Sequence, residues 1–576
     1  MKNKKIIIII VILVLALTFI GGSLAEWIWE TTEEERTNVE FTVENDFQCA
    51  ADGGGDITSG QVQLTPTYCT NPVNAIQRTV KVNPTLNMND LSISMDLWLN
   101  INNIGDALSN SQNFKYALTT YSDSCTTGVI SSGTFNGKNS GSTVNLLDNK
   151  IYSSTMTDTY YLYIWLDYDE TNNDTMNQSF NFSLGGVCDT SIDSTLDSVE
   201  TLQEKYDFQY YSTMKLAVQD VNNNTVGTNA DSDSSNAVAG VYVDNGQPNV
   251  VLLKDALETE RSAPSVDMTI NLGGHTLSST GPVAIDSLSG NVTLDGRLSG
   301  SKIEIINNEG QMARAIQHRT GGLTVNGGTY MCSSKDMTGI CIYSDGNMTI
   351  NDVNVVSINT GNSGSAYGVY ILANGNAVIN NSQIRGLSNY NYADEESGNY
   401  YQINSIGIGN VGTLTINNTY VLGTHSGMSS SGTLYVNGGI FESYGHGGIY
   451  FNGTGKKSYV RNATIRDCDM PEGYTATANN NGAGFYIGGG SERHNITVYM
   501  NNCDIYGRYQ PIVLRGSSGE LNNTLYISLS RINTDHKIRI DNDTHKLYSG
   551  IGNNFTAANT NLPSAFIQTG EIYTIE

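Results

Sequence analysis

The chain has 576 residues, with 30 Lys and Arg against 56 Asp and Glu, for a formal charge of −26. That balance excludes a nucleic-acid binder, which needs a basic stripe to gain affinity from the phosphates. Only 15% of residues are charged, and Asn, Ser, Thr, Gly and Tyr fill the polar positions, as in a hydrated extracellular β protein of two or three domains.

Residues 1–25 read as an export signal: Lys2, Lys4 and Lys5, an apolar run over 6–20, then Ser23-Leu24-Ala25 as a small-x-small cleavage site. The run through Trp27 and Trp29 also suits an uncleaved transmembrane anchor. Both readings stay open, and both place the rest outside the cytoplasm, secreted or on the outer face of the membrane. The 8 cysteines are even in number with no CxxC, so disulfides are expected rather than zinc. Pairing is expected within Cys49, Cys69, Cys125 and Cys188 and within Cys332, Cys341, Cys468 and Cys503.

Residues 26–75 are acidic and then Gly-rich and read as a connector. From 76 to 188 the pattern alternates, most strictly in Leu91-Ser92-Ile93-Ser94-Met95-Asp96-Leu97-Trp98-Leu99, which predicts a β-sandwich with Trp98 and Trp165 in its core. Within it, Asp167, Asp169 and Asp174 gather hard oxygen ligands in one loop. Calcium is the one metal that loop suits, but the EF-hand pattern is missing and a polar hairpin turn is the favoured reading, so no metal site is expected. No cofactor is otherwise expected. Residues 189–249 are polar and read as a linker, and 250–257 as the cap of the repeat region.

From 250 to 548 a short phrase repeats: apolar, Asn or a substitute, three residues, apolar. It places Asn326, Asn351, Asn380, Asn417, Asn437 and Asn501 at one position of the repeat, with Arg461 and Ser528 standing in for Asn in looser copies. Between copies comes Gly followed by alternating apolar residues, at Gly339, Gly368, Gly407, Gly448 and Gly484. Two short strands recurring in step predict the coils of a parallel β-helix, in which each coil buries its apolar row only by stacking on the next. Residues 549–576 are expected to cap the far end.

These repeats resemble the right-handed parallel β-helix proteins of the pectate-lyase-like superfamily, over about half of the chain. The resemblance implies that the repeat region is a right-handed solenoid, which with the sandwich read from alternation makes an all-β protein, a β-sandwich followed by a right-handed parallel β-helix. It also implies that the six asparagines stack as a hydrogen-bonded ladder, a structural role. The leader and front segment are loosely similar to camelysin-like secreted matrix proteins. Polygalacturonases of the superfamily carry Gly-His-Gly and Asn-Thr-Asp; here Gly445-His446-Gly447 precedes Asn533-Thr534-Asp535, the reverse order, so His446 reads first as a turn residue. For a lyase, the best candidates are Arg466 and Asp467, beside Arg461, Arg508 and Arg515.

Two coils carry long insertions, over 385–405 and 466–483, at one place in the repeat. The first holds Tyr390, Tyr392, Tyr400 and Tyr401 with Asp394 and Glu395, a composition suited to a glycan or protein ligand. The residues alone therefore predict a surface protein of adhesion or matrix, without catalysis. A polysaccharide lyase or glycoside hydrolase is the alternative.

Overall fold

A computed structural model describes most of the chain from residue 76 to 573 and the backbone of three strands before it. Outside the described residues lie 1–24, 28–37, 45–47, 53–75, 85–91, 154–157, 190–195, 389–404, 469–481, 489–494, 516–521, 534–537, 556–565 and 574–576. So do most of 121–127 and 168–179 and a few isolated positions. The chain divides into two compact units, Met1–Ile192 and Asp193–Glu576.

The first unit is a two-layer β-sandwich. One sheet orders Ala25–Trp27, Phe180–Asp189, Ser92–Ile104 and Thr143–Ser153, all antiparallel. The other has six strands, with Ile76–Pro84, Asp158–Leu166 and Phe114–Thr119 at its centre. Phe114 of one sheet meets Phe180 of the other edge-on, ring centroids 4.9 Å apart, so aromatic packing joins the layers. Trp165 is buried, though with Ala117, Cys125 and Tyr163 on the face of its sheet opposite Phe114 rather than between the layers, and Trp98 is only half-buried, lying over Gly185 where a Cβ would strike its indole. Residues 26–75 are more than a connector, since Asn38–Glu44 and Gln48–Asp52 join the six-stranded sheet.

The second unit is a right-handed parallel β-helix. A 24-stranded sheet bends around two sides and a 10-stranded sheet forms the third. Each coil therefore has three strands rather than the expected two, for example Gly322–Gly327, Thr329–Lys335 and Gly339–Ser344. The Asn phrase straddles a corner. The residue after the phrase's Asn takes a left-handed backbone in coil after coil: Gly327, Asp352, Asn381, Asn418, Gly438, Asn462 and Asn502, with φ between 44° and 79°. Gly, Asn and Asp tolerate that conformation best, which is why the phrase so often reads Asn-Asn, Asn-Gly or Asn-Asp. Leu529 holds the same place with φ 52°, where a γ-branched side chain is strained. Leu529→Asn is expected to stabilise the unit by about 1 kcal/mol, read from chemical denaturation.

Three apolar rows fill the interior. Val325, Ile350, Ile379, Ile416, Val436 and Val460 stack in register and are buried, as are Tyr330, Val355, Ile384, Val421, Phe441 and Ile465 around the corner. The third row, from the 10-stranded sheet, runs through Ile316, Ile342, Val369, Ile408, Met428, Ile449 and Phe485. At the corner, amide groups link successive coils. Asn351 Nδ2 donates to Asn326 Oδ1 (2.8 Å), Asn380 to Asn351 (2.7 Å), Asn417 to Asn380 (2.7 Å) and Asn437 to Asn417 (2.9 Å), and Arg461 Nε donates to Asn437. Asn501 instead donates to Ser528 Oγ and the Tyr573 carbonyl, tying the chain end to the last coils. Asn380→Leu removes both hydrogen bonds of its side chain and should cost ~1–3 kcal/mol of stability.

The Gly phrase also has a steric origin. A Cβ on Gly368, Gly407, Gly427, Gly448 or Gly484 would meet a backbone atom of a neighbouring strand at 2.5–2.8 Å, so these positions admit no side chain. Outside the barrel, Tyr435, Tyr459, Tyr499, Tyr526 and Tyr548 stack at 4.8–5.5 Å between ring centroids, and Tyr573 packs edge-on against Tyr526.

Residues 189–249 are not merely a linker. Val199–Lys205 and Met214–Asn222 are helices capped by Ser198 and Thr213, followed by the strand Ala239–Asp244. Met214, Ala217, Val218 and Val221 pack into the solenoid core, so this helix closes the open end. Asp220, wholly buried, accepts from the Tyr211 hydroxyl (3.2 Å) and the Asn229 amide (2.9 Å). Residues 250–257 are strand rather than separate cap: Gln247–Leu252 pairs antiparallel with Ala239–Asp244 and parallel with Met268–Asn271. Their apolar run is the stronger signal, and it belongs to the sheet; the helix that plugs the end lies hidden in polar sequence. Beyond residue 549, Phe566–Gln568 adds a last parallel strand.

Candidate functional site

The turns leading into the 10-stranded sheet stack one above another. His446 N donates to the His425 carbonyl (2.7 Å), His425 N to the Ser405 carbonyl (2.8 Å) and Ala483 N to the His446 carbonyl (3.3 Å). The imidazoles of His425 and His446 lie face to face, centroids 4.8 Å apart and 11° from parallel. His446 also meets the rings of Tyr450 (4.8 Å) and Tyr486 (4.6 Å), and Tyr486 is hydrogen-bonded to Arg515. Arg515 and Arg539 both pair with Asp541. His446 Nδ1 is buried without a hydrogen-bond partner.

Burial, reinforced by the other imidazole, pulls the His425 pKa down to about 3. Burial, with the nearby Arg515 charge second, pulls His446 to about 4. Both rings are thus neutral at physiological pH. Burial raises the Tyr486 phenol, while its bond to Arg515 works against that rise. The ledge therefore offers a neutral imidazole, the phenols of Tyr450 and Tyr486 and a guanidinium within one cluster.

Behind the ledge, the charged candidates are neutralised in pairs. Glu442, on the outer side of Thr433–Ser443, accepts from the Tyr420 hydroxyl (2.7 Å) and pairs with Arg466 (2.6 Å). Asp467, wholly buried, accepts from Ser443 Oγ (2.9 Å) and pairs with Arg508 (3.3 Å). Burial raises the Cys468 thiol, with Glu442 adding to the effect. Arg466 and Asp467, expected as the lyase pair, are thus divided between two separate ion pairs. Strand alternation turns one side chain outward and the next inward. His446 is a turn residue, as its sequence context suggests, and is also the one of the three that joins the aromatic cluster.

Tyr390, Tyr392, Tyr400, Tyr401, Asp394 and Glu395 lie outside the described residues, as do Asp169, Asp174 and Asp535. Asp167 is paired with Lys115. Among the described residues no group of three or more His, Cys, Asp or Glu could hold a metal, and no helix is long and apolar enough to cross a membrane. Cys332, Cys341, Cys468 and Cys503 are free thiols, against the expected pairing; Cys125 is disulfide-bonded. Cys332, Cys341 and Cys503 are buried, and there they serve as small apolar residues.

His425, Glu442, Tyr450 and Tyr486 escape a reading of the sequence alone. One signal is present: His425 and His446 each stand two residues before a phrase glycine, Gly427 and Gly448, so stacking of the coils must stack the rings.

No protein-family model matches the chain, and no curated protein matches it. Similar solved structures include the catalytic domain of GH87 alpha-1,3-glucanase in complex with nigerose, at 13% identity and a TM-score of 0.26, covering 88% of this chain and 95% of that one. Another is the catalytic unit of the thermostable GH87 alpha-1,3-glucanase from Streptomyces thermodiastaticus strain HF3-3, at 9% identity and a TM-score of 0.27, covering 90% and 92%. The fold stands on the strand pairing described above. These neighbours are catalytic domains by name, contrary to the expectation of an adhesion or matrix role without catalysis.

Proposed function

We propose that the chain is an exported polysaccharide-cleaving enzyme, a lyase or glycoside hydrolase, working from the His446 ledge. The carrying observation is a neutral, half-buried imidazole in ring contact with two phenols, one of which, Tyr486, is hydrogen-bonded to Arg515. Export rests on Lys2, Lys4 and Lys5 followed by the apolar run.

The residues favour elimination from a uronate. Arg515 would neutralise the substrate carboxylate, making the adjacent C–H more acidic. His446 would take that proton, the C–H pair becoming the C4=C5 double bond as the C4–O bond breaks. Tyr450, the more exposed of the two phenols, would return a proton to the leaving oxygen. Hydrolysis needs two carboxyl groups flanking the bond. Among the described residues, the carboxylates near the ledge, Glu442, Asp467 and Asp541, are each engaged by arginine.

The test is to incubate the protein with polygalacturonate and with soluble α-1,3-glucan, following both reducing ends and the ultraviolet absorbance of unsaturated uronate. New reducing ends with that absorbance support elimination. New ends without it support hydrolysis, and their absence across a broad glycan panel rejects the reading.

A further inference from the structure

The outer face of the 10-stranded sheet carries a row whose register runs Tyr343, Tyr370, Gly409, Ser429, Tyr450, Tyr486. Its composition is interrupted at one place. The Tyr370 ring leans over Gly409, where a Cβ would meet ring carbons at 2.5 and 2.7 Å, and Tyr367 stands edge-on against it at 5.0 Å. Arg314 covers the far side of this group, 4.2 Å from the centre of the Tyr343 ring. On the other flank, Tyr450 contacts His446 and Tyr486. Between the two aromatic groups the only side chain of the row is the hydroxymethyl of Ser429.

Coils stack at ~4.8 Å, so the backbones of Gly409 and Tyr450, two coils apart, are about 10 Å from each other. That leaves a notch one ring wide with a tyrosine on each side. Its floor is polar: Asn452 Nδ2 donates to Ser429 Oγ (3.3 Å), and Asn452 Oδ1 is buried with no hydrogen-bond partner. Aromatic walls that cover the C–H faces of a ring, above a floor with a spare acceptor, match the chemistry of a pyranose.

We propose that this notch is a saccharide-binding subsite, in which one sugar of a chain lying across the solenoid, parallel to the strands, sits between Tyr370 and Tyr450. His446 immediately precedes the strand that carries Tyr450, Gly447–Phe451, so the sugars on that side of the notch would approach the ledge. The inference rests on the reading of the chain as a glycan-cleaving enzyme, and it makes that enzyme one that grips a polymer internally rather than at its end. Tyr370 is here a positioning residue, remote from the bond that breaks.

The experiment measures binding of polygalacturonate and α-1,3-glucan to the full chain by titration calorimetry, for wild type, Tyr370→Ala and Ser429→Tyr. The first removes one wall; the second fills the notch with a side chain that the row already accommodates in neighbouring coils. Each should weaken binding of the recognised polymer at least about tenfold, the loss expected for one desolvated aromatic contact, with the unfolding temperature nearly unchanged. If one variant does not fold, the other decides. Unchanged affinity in a folded variant overturns the subsite, as does absence of binding by wild type to both polymers. Weakened binding without cleavage by wild type would keep the subsite and reject the enzymatic reading.

Discussion

Gly427→Ala is expected to abolish folding of the solenoid or to destabilise it by ~3 kcal/mol or more, although it adds one methyl group. A Cβ there would lie 2.6 Å from the Glu442 and Gly448 carbonyl oxygens, and both belong to strands held by neighbours on each side. Backbone cannot swing away as a side-chain tip can, so the strain spreads into two sheets. Gly447→Ala supplies the control one coil on. Its Cβ would meet nothing closer than 3.5 Å, and its partner in the next coil, Ala483, already carries that methyl. Denaturant unfolding should show a large loss for the first variant and almost none for the second. Equal effects would mean that the two sheets do not approach as described.

Mild acid should destabilise the solenoid through the stacked histidines. Folded pKa values of about 3 for His425 and about 4 for His446 lie below the unfolded value near 6.5. The unfolded chain therefore binds more protons as pH falls, so this contribution is fully present above about pH 6.5 and drains away as the pH drops toward 4. The carboxylates titrate in part of the same range, so the informative quantity is a difference. Wild type should lose a few kcal/mol more than His425→Asn/His446→Asn between pH 6.5 and 4.5. Parallel stability curves would show that the rings are solvated or already charged in the folded protein.

Much of the solenoid is legible in sequence because its grammar is steric. Ladder asparagines, left-handed corner residues and clashing glycines each admit few side chains, so they recur visibly. Three strands per coil are harder to see, because the Asn phrase spans a corner and reads as one continuous element. The end-plugging helix is obscured for a different reason. Met214, Ala217, Val218 and Val221 make a narrow apolar stripe within a polar stretch, and Asp220, inward yet hydrogen-bonded, breaks the pattern.

The candidate site is less legible because it is assembled across coils. Tyr420 and Glu442 are 22 residues apart, and His446 and Tyr486 are 40 apart, yet each pair is in contact. Sequence proximity misleads in the opposite direction: Arg466 and Asp467 are adjacent in the chain and serve separate ion pairs.

Cleavage kinetics of His446→Gln, on the polysaccharide that wild type degrades, test the catalytic role of the ledge most directly. Glutamine keeps the turn and much of the ring's volume but cannot accept a proton. A loss of ~10²–10⁴-fold in kcat with an unfolding temperature close to wild type is the predicted result. Cleavage at the wild-type rate by a folded His446→Gln protein would contradict the assignment of the ledge as the catalytic site.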